Sequence, residues 1–157
     1  MKNDTHGAVT FDLVIAEILR EHATLEERLA RLREMLTAWP ESGPCLARDE
    51  AHIDDCRNAS TDFMTDLLDY MQNHFRVEEA AMRRLDATPA EREAAAAHVE
   101  AHADMMERAA NLIRLAELQE ERLAARDLIK DWLHQHIATH DAFLLDRLRR
   151  AAAQPAA

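Results

Sequence analysis

The stretch Phe11-Asp-Leu-Val-Ile15-Ala-Glu-Ile18-Leu-Arg-Glu-His22-Ala-Thr-Leu25-Glu-Glu-Arg-Leu29-Ala-Arg-Leu32-Arg-Glu-Met-Leu36 carries its apolar residues in a single stripe. Phe11, Ile15, Ile18, His22, Leu25, Leu29, Leu32 and Leu36 follow one another at steps of four and three. That spacing keeps them on one face of an α-helix and is the seam of a helix bundle. His22 occupies a seam position otherwise given to Leu and Ile, and the rest of the sequence shows why.

Three further segments carry the same period. Phe63, Leu67, Tyr70, His74, Glu78, Ala81 and Leu85 form a second stripe. His98, His102, Met105, Ala109, Leu112 and Ala116 form a third, and Ile129, Leu133, His136, Ile137, Leu144 and Leu148 a fourth. Ala, Leu, Glu and Arg dominate, with only 2 Gly and 4 Pro among 157 residues. These are strong helix formers. The expected fold is all-α: one domain over residues 1–157, an antiparallel up-down-up-down four-helix bundle. Helices are expected over about 11–39, 60–85, 89–118 and 122–150. A long connection over 40–59 holds Pro40, Gly43, Pro44, Cys45, His52 and Cys56. The two cysteines make no CxxC pair and read as reduced thiols of a loop in a cytoplasmic protein. Thr88 and Pro89 read as the cap and first residue of the third helix. If the polar seam residues meet at one level, the chain must reverse near residues 49 and 88, and again between Glu117 and Arg122.

The net charge of −11 disfavours a nucleic-acid partner. The opening residues lack the apolar run of a signal peptide, and no stretch approaches a membrane span. A soluble, cytoplasmic protein is therefore expected.

The chemistry lies in the nine histidines. A single histidine on an apolar stripe is usually a hydrogen-bonded core residue. Here His74 pairs with Glu78 and His98 with His102, each four residues apart on one helix face. His22 and His136 stand on the other two seams, so every helix offers a metal-capable group at matching height. Burying so many polar groups without partners would cost roughly 1–3 kcal/mol each. A metal cluster removes that cost, and ligands on facing helices are how bundle cores build such sites. The donor set, rich in His and lacking Cys, suits iron, copper, zinc or nickel. The fourth helix leaves a choice among His134, His136, His140 and Asp141. Spacing pairs His136 with His140. Charge favours Asp141, since buried cations need anions beyond Glu78 and a carboxylate can bridge two metals.

The segments His74-Phe-Arg-Val-Glu78, His98-Val-Glu-Ala-His102 and Trp132-Leu-His-Gln-His136, with Asp141 five residues on, resemble the signatures of the hemerythrin family. His22 fits its single first-helix histidine. The resemblance covers about residues 11–150. It implies a non-haem di-iron centre that binds dioxygen reversibly, as carrier, store or sensor and not as an enzyme. The alternative is a di-iron enzyme handling peroxide or nitric oxide, or repairing iron-sulfur clusters. It further implies two iron ions bridged by an oxo or hydroxo group. His98, His102 and His136 would hold one, His22 and His74 the other, with Glu78 and Asp141 between them. Leu25, Phe75, Trp132, Leu133 and Ile137 would line the dioxygen pocket. With Asp141 as the ligand, the fourth helix must widen into a π-type turn after His136, or Asp141 must reach sideways. His140 becomes a neighbour without an assigned role, and His134 is expected in solvent. Leu19 stands where family members often carry an acidic residue. The extended helices and the 40–59 connection suggest a protein partner or an oligomer.

Overall fold

The computed structural model describes residues 10–42, 50–85, 87–115 and 119–153. Helix α1 is Phe11–Ser42, α2 is Glu50–Arg84, α3 is Pro89–Leu115 and α4 is Gln119–His136. A π-helical turn, Ile137–Asp141, joins α4 to α5, Ala142–Ala152, so the fourth rod of the bundle is one helix with a widened middle. The backbone stays in the right-handed helical region on both sides of that turn.

Two buried apolar clusters order the bundle. One gathers Leu25, Leu29, Leu32 and Leu36 of α1 with Met64, Leu67, Met71 and Phe75 of α2, Met105 and Ala109 of α3, and Ala125, Ile129 and Leu133 of α4. The other gathers Val14, Ile18, Ala81, Met82, Leu85, Leu144, Leu145 and Leu148, with Ala95 packed against it. Along α1 the chain passes from the second cluster to the first. Along α2 it returns, along α3 it passes again, and along α4 and α5 it returns once more. Successive helices are therefore antiparallel, as the stripes predict. Neighbours close the ring in the order α1, α2, α3, then the α4–α5 rod, which packs back on α1.

The turn between α2 and α3 is built by its sequence. Thr88 Oγ1 accepts from the Glu91 backbone N–H at 3.3 Å, and Glu91 Oε2 accepts from the Thr88 backbone N–H at 2.9 Å. This reciprocal capping box satisfies two orphan donors at the helix start. Glu91 also pairs with Arg147 Nε at 3.1 Å, which fastens the start of α3 to α5.

Several helix boundaries differ from the sequence expectation. Helix α1 runs through Pro40 to Ser42, and α2 begins at Glu50, about ten residues before the expected cap at Ser60 or Thr61. Pro40 stands so near the helix end that few hydrogen bonds remain for it to break. Residues 50–60 lack a seam stripe, but a helix already docked downstream extends at little cost, one bond per added residue. Of the expected connection over 40–59, residues 40–42 and 50–59 are thus helical. Cys45 and the side chains of His52 and Cys56 lie outside the described residues. Among the described residues, helix α3 ends at Leu115 and α4 starts at Gln119, against the expected bounds of 118 and 122. No described helix is long and apolar enough to cross a membrane.

Candidate metal centre

Between the two apolar clusters lies a polar layer. His22 comes from α1, His74 and Glu78 from α2, His98 and His102 from α3, and His136 and Asp141 from the ends of α4 and of the π turn. All seven are buried, Glu78 and Asp141 completely. Their donor atoms fall into two groups. Glu78, His98, His102, His136 and Asp141 form one; His22, His74, Glu78 and Asp141 form the other. The two carboxylates belong to both.

The π turn decides which fourth-helix residue joins them. In an α-helix, a residue five positions after His136 is rotated about 140° away. A π turn closes i→i+5 hydrogen bonds and brings such a residue nearly back onto the same face. Asp141 is thereby inside the layer and fully buried, while His140 is only half-buried. His140 instead stacks on two members of the layer, with ring centroids 5.1 Å from His98 and 5.0 Å from His136. His134 is exposed and ion-paired with Glu26.

Each carboxylate turns one oxygen to each histidine group. Glu78 Oε1 lies 3.3 Å from His74 Nε2 and 3.6 Å from His22 Nε2, while its Oε2 lies 3.1 Å from His102 Nε2 and 3.5 Å from His98 Nε2. Asp141 Oδ2 lies 3.1 Å from His22 Nε2, and Oδ1 lies 3.0 Å from His98 Nε2 and 3.1 Å from His136 Nε2. Close as they are, many of these atoms are not aligned as hydrogen bonds. His22 Nε2, His74 Nε2, Glu78 Oε1 and both Asp141 oxygens are buried without a hydrogen-bond partner. Leaving such groups unsatisfied costs roughly 1–3 kcal/mol apiece. Donors that crowd together without bonding one another fit cations placed between them.

The spacing also fits a coordination geometry. Two donors each about 2.1 Å from one cation stand about 3.0 Å apart at an octahedral edge and about 3.4 Å apart at a tetrahedral one. His98 Nε2 and His136 Nε2 are 2.9 Å apart, and each is within 3.1 Å of Asp141 Oδ1. The five-donor group therefore matches a six-coordinate cation and exceeds the four ligands of a structural zinc site.

Two residues that the stripes do not reveal complete the layer. Glu21 Oε2 lies 2.9 Å from His74 Nδ1, and Glu79 Oε1 lies 3.2 Å from His102 Nδ1. A carboxylate at Nδ1 holds the proton there and turns the Nε2 lone pair inward, as for metal-bound imidazoles generally. The only trace in the sequence is that Glu21 and Glu79 each adjoin a seam residue, His22 and Glu78, with no periodicity to mark them.

Burial alone would push the His22 and His98 imidazoles down. The close carboxylates of Asp141 and Glu78 outweigh it and raise both to about 9. Burial likewise opposes, and contacts with Glu78 and Glu21 reverse, the shift of His74, which also rises. Glu78 and Asp141 would be raised by burial but are held far below the usual carboxylate range by the surrounding imidazoles. Without a cation, protons on the histidines thus neutralise the two carboxylates.

The expected pocket residues surround this layer. Leu25, Phe75 and Leu133 are fully or almost fully buried in the larger apolar cluster, and the half-buried Trp132 and Ile137 pack against it. Phe75 stacks on His102 at 4.0 Å, nearly parallel. Trp132 lies under the Arg108 guanidinium at 4.5 Å and lines a cleft of about 230 Å3 that reaches His136. Phe75 and Trp132 therefore adjoin the three-histidine group.

Three outcomes are expected. Asp141→Ala should lose most of the bound metal, because it removes an oxygen from both groups, whereas His140→Ala should keep it; metal analysis of the two purified variants decides. Glu21→Ala should weaken metal binding about 10–100-fold while leaving the helical circular dichroism intact, since it frees only the His74 orientation. Apparent metal affinity should rise as pH passes up through about 9 and His22 and His98 lose their protons, and fall as they are regained. Titrating a divalent cation in weak buffer at pH 7 should release acid; no release would contradict the protonated histidines.

Comparison with known proteins gives one finding. The family model described as hemerythrin HHE cation binding domain matches residues 13–148. No curated protein and no solved structure matches.

Proposed function

Because the chain belongs to the hemerythrin HHE cation-binding family, we propose that its buried layer holds two non-haem iron ions and binds dioxygen reversibly, as carrier, store or sensor. One observation carries this reading: Glu78 and Asp141 each offer one oxygen to the His98/His102/His136 group and one to the His22/His74 group. A carboxylate shared in this way is what a pair of adjacent cations requires, and a single cation would leave one side of the layer unsatisfied. His/carboxylate donors at octahedral spacing suit iron.

The proposed ligands divide unequally. His98, His102 and His136 with the two carboxylates give five protein donors; His22 and His74 with the same carboxylates give four. The second position is thus the one open to a small ligand. Two iron ions held here, with an oxo or hydroxo bridge, would supply the reversible two-electron redox chemistry that dioxygen binding needs. The protein's part is to orient and to exclude water. Glu21 and Glu79 fix the imidazoles of His74 and His102. Phe75, buried with Leu25 and Leu133 in the larger apolar cluster, packs directly against His102 of the layer. We assign no catalytic residue, and we place the protein in a cytoplasm, where its two cysteines stay reduced.

Iron-grown protein is expected to contain about two irons per chain and no haem. Chemically reduced protein should gain a visible absorption band in air and lose it when oxygen is removed. One metal per chain, or zinc in both positions, would sink the di-iron reading. Two irons with sustained peroxide turnover and no reversible band would instead make the protein an enzyme.

A further inference from the structure

Between α3 and the rod formed by the π turn and α5 lies a cavity of about 290 Å3 that the proposed cation chemistry does not use. Ala94 and Ala95 of α3, Phe143 and Leu144 of α5, and His98 and His140 are among the residues around it. Its origin is legible in the sequence. Ala94-Ala-Ala-Ala97 offers no side chain beyond Cβ to fill the gap between the two rods. Phe143 is 44% exposed, so the cavity has an aromatic side chain that is not sealed into the core.

The lining selects by polarity. Thr139 and Arg147 also border the cavity, but the Thr139 hydroxyl donates to the Gln135 carbonyl at 2.8 Å and Arg147 is paired with Glu91. The crevice is half open, with Ala97, Thr139 and Phe143 exposed, and its alanines, Phe143 and Leu144 offer an ion no polar partner. The cleft on the other side of Thr139 and His140 differs: Asp104, Arg108 and Gln135 line it. Size sets a second limit. An apolar cavity of about 150 Å3 already accepts benzene or xenon. The larger volume here takes one ring with a short substituent, or a small aliphatic molecule of similar bulk.

We propose that this cavity is a binding site for one small, uncharged, mostly apolar molecule, separate from the position open to dioxygen. Its occupant would rest against His98, a member of the five-donor group, and against His140, whose ring stacks on both His98 and His136. A second molecule would thus meet the centre on its three-histidine side, opposite in function to the open side.

Fluorobenzene titrated into the protein as purified, followed by its 19F line width, tests this. Saturable broadening with one site per chain is expected. Ala95→Phe, which fills the cavity, should weaken binding at least about tenfold. Ala97→Leu, at an exposed part of the lining, should weaken it in the same direction should Ala95→Phe fail to fold. Benzoate, with the same ring and a charge, should bind far more weakly. Broadening that never saturates, unchanged binding in a folded filling variant, or benzoate binding as tightly as fluorobenzene would each overturn the proposal. The readout is on the ligand and needs no iron, so its failure leaves the di-iron reading standing, and the reverse holds as well.

Discussion

Everything in this bundle accommodates two carboxylates buried to completion among five imidazoles. Alone, Glu78 and Asp141 would be costly to bury in an ionised state. The imidazoles hold both ionised, and the carboxylates in turn keep His22, His74 and His98 protonated against the effect of burial. The layer is therefore electrostatically closed in two ways, by protons or by cations. Exchanging one for the other is what couples metal binding to pH.

The architecture follows from isolating that layer. An apolar cluster stands on each side of it, and each of the four rods crosses from one cluster to the other through the layer. A polar layer sandwiched in this way also fixes register. Sliding any helix by one turn would move at least one polar layer residue into an apolar cluster, at a cost of several kcal/mol from unsatisfied polar groups. The capping box at Thr88 and Glu91 and the Glu91–Arg147 pair hold the end of the bundle nearest the α2–α3 turn.

The layer is also asymmetric. Its three-histidine side touches Phe75, His140, the cleft at Trp132 and the cavity at Ala94 and Ala95. Its two-histidine side is held by Glu21 from α1. The π turn links these features: it brings Asp141 inward, and it leaves His140 packed on the outer faces of His98 and His136.

The sequence by itself determined the four helical stripes, their antiparallel order and six residues of the layer: His22, His74, Glu78, His98, His102 and His136. Each of these is written in a period: steps of three and four mark the seams, and polar residues on a seam mark the layer. It also marked the α2–α3 turn, because Thr88, Pro89 and Glu91 act on their own local backbone. Tertiary structure alone decided the rest. Asp141 against His140 could not be settled by spacing, since a π turn costs backbone regularity and forms only when the buried layer rewards it. Helix α2 begins at Glu50, well before the first residue of its stripe, Phe63, because an already docked helix can extend where no seam residue signals it. Glu21 and Glu79 found their imidazoles across helix interfaces, a relation between chains of residues 53 and 23 positions apart that no local period records. The cavity beside His98 brings together Ala94, Ala95 and Ala97 of α3 with Phe143 and Leu144 of α5, residues that only the assembled bundle makes neighbours.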